Sequence, residues 1–170
     1  MTKDQRTVAI GAASGVATMV LLVWLLSNLI QASGIADTAA DRMAYAARWL
    51  VVAVLPLFAM FVTVGNARFL SEAIDPTLGK EDNKMVVNGR VADNTLQQFV
   101  VFAVGLLALS VTLPARSLSF IPAATITFVI GRLVFWIGYR IHPLCRAPGF
   151  SSTAYLNMGM LIASLWLWVR

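Results

Sequence analysis

A row of polar side chains opens the apolar stretch that begins at Phe99. Arg90, Asn94 and Gln97 recur at i, i+4 and i+7, so in a helix they share one face. Gln98 lies just beside that face. A guanidinium followed by two carboxamides forms a strip of hydrogen-bond donors that can hold an anionic, peptide-like ligand. The same strip could instead join neighbouring helices, and the spacing leaves both interpretations open.

A second polar face lies in a later apolar stretch, where Arg132, Phe135 and Tyr139 recur at i, i+3 and i+7. A lone arginine about two turns inside a span costs several kcal/mol unless it is paired or hydrated. The partner of Arg132 is therefore a bound anion, water, backbone carbonyls or an acidic side chain, with Asp93 the nearest candidate. Tyr139 is either a hydrogen-bond donor to a ligand or an interfacial aromatic anchor.

A third candidate group lies in the polar stretch before the last apolar segment. The charge of Arg146 can lower the pKa of a nearby thiol by stabilising the thiolate, or it can simply mark membrane topology. Cys145 is the single cysteine, which excludes an intramolecular disulfide and a cysteine-built metal cluster. With His142 as the single histidine, we predict no metal site and no Ser-His-Asp triad.

The composition indicates the surroundings of these candidate groups. Of 170 residues, 59% are hydrophobic and 12% are charged, whereas a soluble domain has about 25% charged residues. The bilayer is therefore the expected solvent. A net charge of +5 indicates nucleic acid only weakly, and we predict no nucleic-acid partner. In a membrane protein, basic residues more often mark cytoplasmic loops.

Five apolar segments predict an all-α integral membrane protein with five spans. A cleaved signal peptide is the alternative for the first segment, but that run is longer than a typical signal core, which favours a retained helix. Polar loops are predicted at Ser71–Gly89 and His142–Gly149. The spans cover roughly Val8 to Ile30, Met43 to Leu70, Arg90 to just before Pro114, Phe120 to Ile141, and Thr153 to Val169.

The charges flanking the spans predict the orientation. Five spans place the N-terminus and both predicted polar loops on one side, and the excess of basic residues assigns that side, with the candidate site, to the cytoplasm. The basic residues on this side are Lys3, Arg6, Arg68, Lys80, Lys84, Arg90, Arg140 and Arg146, against Arg42, Arg48, Arg116 and Arg170 on the other.

The polar motifs, taken in order, resemble the MAPEG superfamily of membrane-associated proteins in eicosanoid and glutathione metabolism. The motifs are Arg90-x-x-x-Asn94-x-x-Gln97, then Arg132-x-x-Phe135-x-x-Gly138-Tyr139, then Arg146 before the last span. The resemblance covers roughly Met43 to Arg170. It divides the chain into an extra N-terminal transmembrane helix, 1–31, and a four-helix membrane domain, 42–170.

The resemblance implies a glutathione site and an activity. Arg90, Asn94, Gln97, Arg132 and Tyr139 would bind glutathione as co-substrate, and Arg146 would be the catalytic residue that activates its thiol. The implied reaction is that of a glutathione transferase or peroxidase acting on lipophilic electrophiles within the membrane lipids. The implied assembly is a homotrimer with the ligand held between neighbouring subunits on the cytoplasmic side.

Departures from the family pattern favour a second hypothesis. Gln97 stands where the family usually has a glutamate that binds the ligand's amino group, and charge-assisted bonds are roughly twice as strong as neutral ones. Phe135 replaces a tyrosine and lacks its hydroxyl, and Ala92 stands where the family often has histidine. The alternative function is a non-catalytic membrane scaffold or lipid-binding protein on the same fold. A small transporter is a third hypothesis, although no internal repeat is visible.

Overall fold

In the residues that the structure describes, 1–32 and 38–169, the fold consists of five long helices joined by shorter connections. The structure is a computed structural model. All five helices are long and apolar enough to cross a membrane, so the prediction of an all-α membrane protein with five spans is confirmed. Arg170, which the charge comparison included, lies outside the described residues. The helices are α1 (Lys3–Leu29), α2 (Ala39–Phe69), α3 (Asn83–Thr112), α4 (Phe120–Ile141) and α5 (Ala147–Val169).

Helix α3 begins seven residues before the predicted span, so the prediction that the Ser71–Gly89 loop extends to Gly89 is wrong. The side chain of Asp82 caps the helix by accepting a hydrogen bond of 2.7 Å from the amide nitrogen of Met85. Thirty helical residues rise about 45 Å, and the hydrocarbon core of a bilayer is about 30 Å thick. The polar first turns are therefore helical without having to lie in the apolar layer.

Helix α5 also begins earlier than predicted, at Ala147 rather than Thr153. Pro148 lies in its first turn, where the missing N–H group removes no intrahelical hydrogen bond. Gly149 packs directly against α4, since a Cβ there would lie 2.6 Å from the carbonyl oxygen of Gly131. The proline and glycine that suggested a loop therefore form a closely packed helix start. The preceding residues, Pro143–Arg146, form a short 3-10 helix.

The helices pack around α4, which has the most buried span of the five. Helix α2 packs mainly on α3, while α5 contacts α1, α3 and α4. The main core includes the rings of Phe102 and Phe128, which stack with centroids 4.3 Å apart. Helix α1 is therefore part of the bundle, and its contacts advance in the same direction along α5, so the two helices are parallel.

Small residues allow α1 to approach α5 closely. A Cβ at Gly15 would lie 2.8 Å from the carbonyl carbon of Pro148, and closer still to its oxygen. The hydroxyl of Ser151 donates a 3.0 Å hydrogen bond to the backbone oxygen of Ala12. Close backbone approach and interhelical hydrogen bonds are the usual sources of helix association within membranes.

We expect the Gly15→Leu substitution to weaken the packing of α1 on α5, because the side chain has no space at that position. Overpacking of this kind typically costs about 1–3 kcal/mol, which thermal unfolding in detergent would detect as a lower midpoint. Gly65→Leu is the matched control, since no atom lies within 4 Å of a Cβ at Gly65. Equal midpoints for the two variants would contradict the proposed close contact.

Candidate functional site

Several of the predicted site residues surround one cavity at the end of the bundle where α3 begins and α4 ends. Its volume is about 310 Å³, at the lower end of the range of about 300–1,000 Å³ typical of small-molecule sites. We call it the cationic cavity. It is lined by Arg90 and Asn94 of α3, Phe135 and Tyr139 of α4, Arg146, and Phe150 of α5.

The position of Arg146 is set by the contact between α4 and the short helix before α5. A Cβ at Gly138 would lie 2.9 Å from the carbonyl carbon of Cys145, so the absence of a side chain lets this segment approach α4. The guanidinium carbon of Arg146 then lies 4.8 Å from the centroid of the Tyr139 ring. This cation–π contact fixes an exposed positive charge at the mouth of the cationic cavity.

Arg132 is completely buried and does not line the cationic cavity. Its Nη2 atom donates to Oδ1 of Asn94 at 3.0 Å and to Oγ1 of Thr95 at 2.8 Å. Nε donates to Thr95 at 3.2 Å, and Nη1 donates to Oγ1 of Thr153 at 3.1 Å. The guanidinium carbon also lies 4.1 Å from the ring centroid of Phe135. Arg132 therefore contacts two residues of the cavity wall, Asn94 and Phe135, from the protein interior.

The partners of Arg132 differ from those considered in the sequence. Asp93 is exposed, and within residues 1–32 and 38–169 no carboxylate forms an ion pair with Arg132. Thr95 follows Asp93 by two residues in α3, so its side chain lies on the opposite side of the helix and reaches the interior. Threonines in apolar helices usually bond to their own backbone, as Thr95 also does to Val91. The signal for Thr95 and Thr153 in the sequence is indirect: a buried arginine without a carboxylate partner needs hydroxyl acceptors on neighbouring helices.

The two glutamines of α3 lie in different places. Gln97 is exposed and outside the cationic cavity. Gln98 accepts a 2.8 Å hydrogen bond at Oε1 from Nδ2 of Asn157, which joins α3 to α5. The same asparagine nitrogen reaches the backbone oxygen of Gln98 at 2.9 Å. Arg90 and Asn94 of the polar strip therefore line the cavity, whereas Gln98, beside the strip, contributes to helix association.

The electrostatic character of the cationic cavity follows from its walls. Arg90 and Arg146 line it, and none of its six lining residues is acidic. Arg132 lies behind the wall and is hydrogen-bonded to the lining residue Asn94. Asn94 and Tyr139 add neutral hydrogen-bonding groups. Arginine presents a planar set of donors that matches carboxylate or phosphate oxygens. The arrangement is therefore complementary to a small anion with several hydrogen-bond acceptors.

Comparison with known proteins places this chain in a family. The sequence profile described as the MAPEG family matches residues 46–166, and the chain belongs to that family. The matched residues begin within α2, so α1 lies outside them. The division of the chain into an extra helix and a four-helix unit stays a prediction.

Two curated relatives share a name, Transmembrane protein 79. The mouse protein (Mus musculus) is 25% identical over 129 residues, which cover 76% of this chain and 33% of the relative. The bovine protein (Bos taurus) is 25% identical over 125 residues, covering 74% and 31% respectively. The chain thus spans about a third of the length of the curated relatives it matches. No solved structure matches the chain significantly.

We expect Thr95→Val to destabilise the fold, because it removes the acceptor of two hydrogen bonds from the buried Arg132. Leaving a buried donor unsatisfied costs about 1–3 kcal/mol, measurable as a reduced free energy of unfolding in detergent. Thr95→Ser keeps the hydroxyl and should retain most of the stability. Thr112→Val, at an exposed position of the same helix, is the control. A similar loss at both threonines would show that Arg132 is not the cause.

Proposed function

We propose that this MAPEG protein binds glutathione in the cationic cavity and activates its thiol for reaction with lipophilic electrophiles. The observation that carries the proposal is the convergence of Arg90, Asn94, Tyr139 and Arg146 on one positively charged cavity. These residues come from separate parts of the chain. Glutathione offers two carboxylates and one thiol, and its carboxylates suit walls that present guanidinium groups and neutral donors.

The tripeptide is held mainly through its carboxylates. Arg90 pairs with a carboxylate through parallel N–H donors. Asn94 presents its amide N–H group, because its oxygen already accepts a hydrogen bond from Arg132. Arg132 is accordingly a positioning residue, completely buried and fixed by two threonines. Gln97 lies outside the cavity of its own chain and would reach a ligand only across a subunit boundary, in the homotrimer that we also propose.

The thiol lies next to Arg146 and Tyr139. The positive charge of Arg146 favours the thiolate over the thiol and so lowers the pKa of glutathione, and the Tyr139 hydroxyl donates a hydrogen bond to the sulfur. A thiolate is the reactive nucleophile in such chemistry. Its lone pair forms the bond to an electrophilic carbon of a molecule dissolved in the membrane lipids. No metal takes part in this mechanism.

A non-catalytic scaffold or lipid-binding function is the second candidate, and it rests on a specific observation. Phe135 occupies the cavity wall where the family has a tyrosine, and its ring lies against Arg132 and Phe150 instead of offering a hydroxyl. Side-chain oxygens of Asn94, Thr95 and Thr153 accept the hydrogen bonds that Arg132 donates. Both features are compatible with a wall that is stable without a ligand.

The Arg146→Gln substitution separates the two candidates. With millimolar glutathione, the parent protein should show the ultraviolet absorbance of a thiolate, and the variant should lose it because the stabilising charge is gone. Arg116→Gln, which removes an exposed arginine at the other end of the bundle, should keep the signal. The scaffold function is favoured if the parent protein gives no thiolate absorbance and no heat of glutathione binding.

The cytoplasmic orientation of the site, which the basic residues suggest, is also a proposal. Cys145 is the single cysteine and is exposed beside Arg146. In sealed vesicles of known orientation, a membrane-impermeant maleimide should label it only when the cytoplasmic face is outside. A Cys145→Ser/Ala115→Cys variant, with its cysteine at the opposite end of the bundle, should show the reverse pattern. Labelling of Cys145 from the other face would refute the orientation.

A further inference from the structure

A second cavity adjoins the cationic cavity on the side of α1. Its volume is about 370 Å³, and the two cavities share Arg146 and Phe150 as lining residues. Val8 and Ala12 of α1 form one wall, and Leu144 and Tyr155 contribute to the others. We call it the α1-side cavity. Arg146 therefore stands between a polar, positively charged space and a second space walled by the N-terminal helix.

The walls of the α1-side cavity are mostly apolar. Arg146 is the one charged side chain among its lining residues. The hydroxyl of Ser151, which also lines it, is already committed to the backbone oxygens of Ala12 and Pro148. An occupant therefore gains most by burying hydrocarbon and by placing one hydrogen-bond acceptor at Arg146.

A further cavity lies beyond the α1-side cavity along the same pair of helices. Tyr155 lines it and also lines a third cavity of about 410 Å³ between α1 and α5, where Met19 and Trp24 add apolar surface. A polar group at Arg146 and a hydrocarbon chain extending past Tyr155 would use both spaces. The shape thus favours a molecule with one polar end and an alkyl tail.

We propose that the α1-side cavity binds the electrophilic substrate, a lipophilic α,β-unsaturated carbonyl compound, with its carbonyl oxygen at Arg146. This inference rests on the proposed function, since the thiolate lies on the other side of the same arginine. The thiolate lone pair forms the S–C bond at the β-carbon, and the alkene electron pair moves to give an enolate. Arg146 stabilises the enolate oxygen, and water then supplies the proton to the α-carbon, so no leaving group or oxidant is needed.

Helix α1 makes this cavity a built feature of the fold. The contacts of Gly15 with Pro148 and of Ser151 with Ala12 fix the helix beside the segment that carries Arg146. The wall that α1 supplies lies outside residues 46–166, the part of the chain matched to the family. Selection of the electrophile therefore depends on α1, which lies outside the matched residues, whereas the thiol site lies within them.

The test compares Ala12→Leu with Ala13→Leu. The first places a larger side chain in the α1-side cavity, and the second makes the same change on the exposed face of α1. The assay measures glutathione addition to 2-alkenals of increasing chain length. In Ala12→Leu, the ratio of kcat/KM for long chains to that for short chains should fall about tenfold, the effect of roughly two lost methylene contacts. Equal ratios in the two variants would overturn the proposal.

A second measurement does not depend on turnover or on the folding of a variant. A saturated long-chain ketone carrying a diazirine cannot react with thiols, and it can be photolysed on the parent protein. Adducts at Val8, Leu144 or Tyr155 are expected, and adducts confined to other surfaces would refute the cavity. If these residues are labelled while glutathione gives no thiolate absorbance, the proposed thiol site is refuted and the proposed carbonyl-binding cavity is supported.

Discussion

The fold depends on one constraint, the need to satisfy a guanidinium that is completely buried among apolar helices. Arg132 meets that need with neutral oxygens of Thr95, Asn94 and Thr153. Because these residues belong to α3 and α5 while Arg132 belongs to α4, the hydrogen bonds fix three helices relative to one another. In an environment of low dielectric, each bond is strong and each unpaired donor would be costly. The same interaction sets the orientation of Asn94, which faces the cationic cavity.

Close packing at small residues gives the site its shape. Gly149 allows α5 to lie against α4, and Gly138 allows the segment with Arg146 to lie against α4. Gly15 allows α1 to lie against α5. Hydrophobic side chains alone drive little association between helices in lipid, so shape and interhelical hydrogen bonds decide which faces meet. The two cavities around Arg146 lie where these closely packed segments meet. Helix α1 is therefore part of the structural environment of the site, although it lies outside the family match.

Much of this architecture could be predicted from the sequence because long apolar runs specify spans directly. The helical spacing of Arg90 and Asn94, and the family motifs, indicated which residues share a cavity. The starts of α3 and α5 were misplaced, since polarity and a Pro-Gly pair suggested loops where Asp82 and Gly149 support helices. The network around Arg132 depends on helix rotation and packing, which a single sequence does not reveal. For the same reason the position of Gln97 outside the cavity was not foreseen.

The hydrogen bond from Arg132 to Asn94 has a consequence for discrimination. It holds the carboxamide oxygen of Asn94 towards the buried guanidinium, so the amide nitrogen is the group that this side chain can offer to an occupant of the cavity. A free asparagine side chain can rotate by half a turn and serve either as donor or as acceptor. The hydrogen bond from Arg132 fixes the carboxamide of Asn94 in one orientation. At this position the wall therefore favours a carboxylate oxygen of the ligand over its ammonium group. Selectivity of this kind resides in a buried residue that no ligand needs to touch.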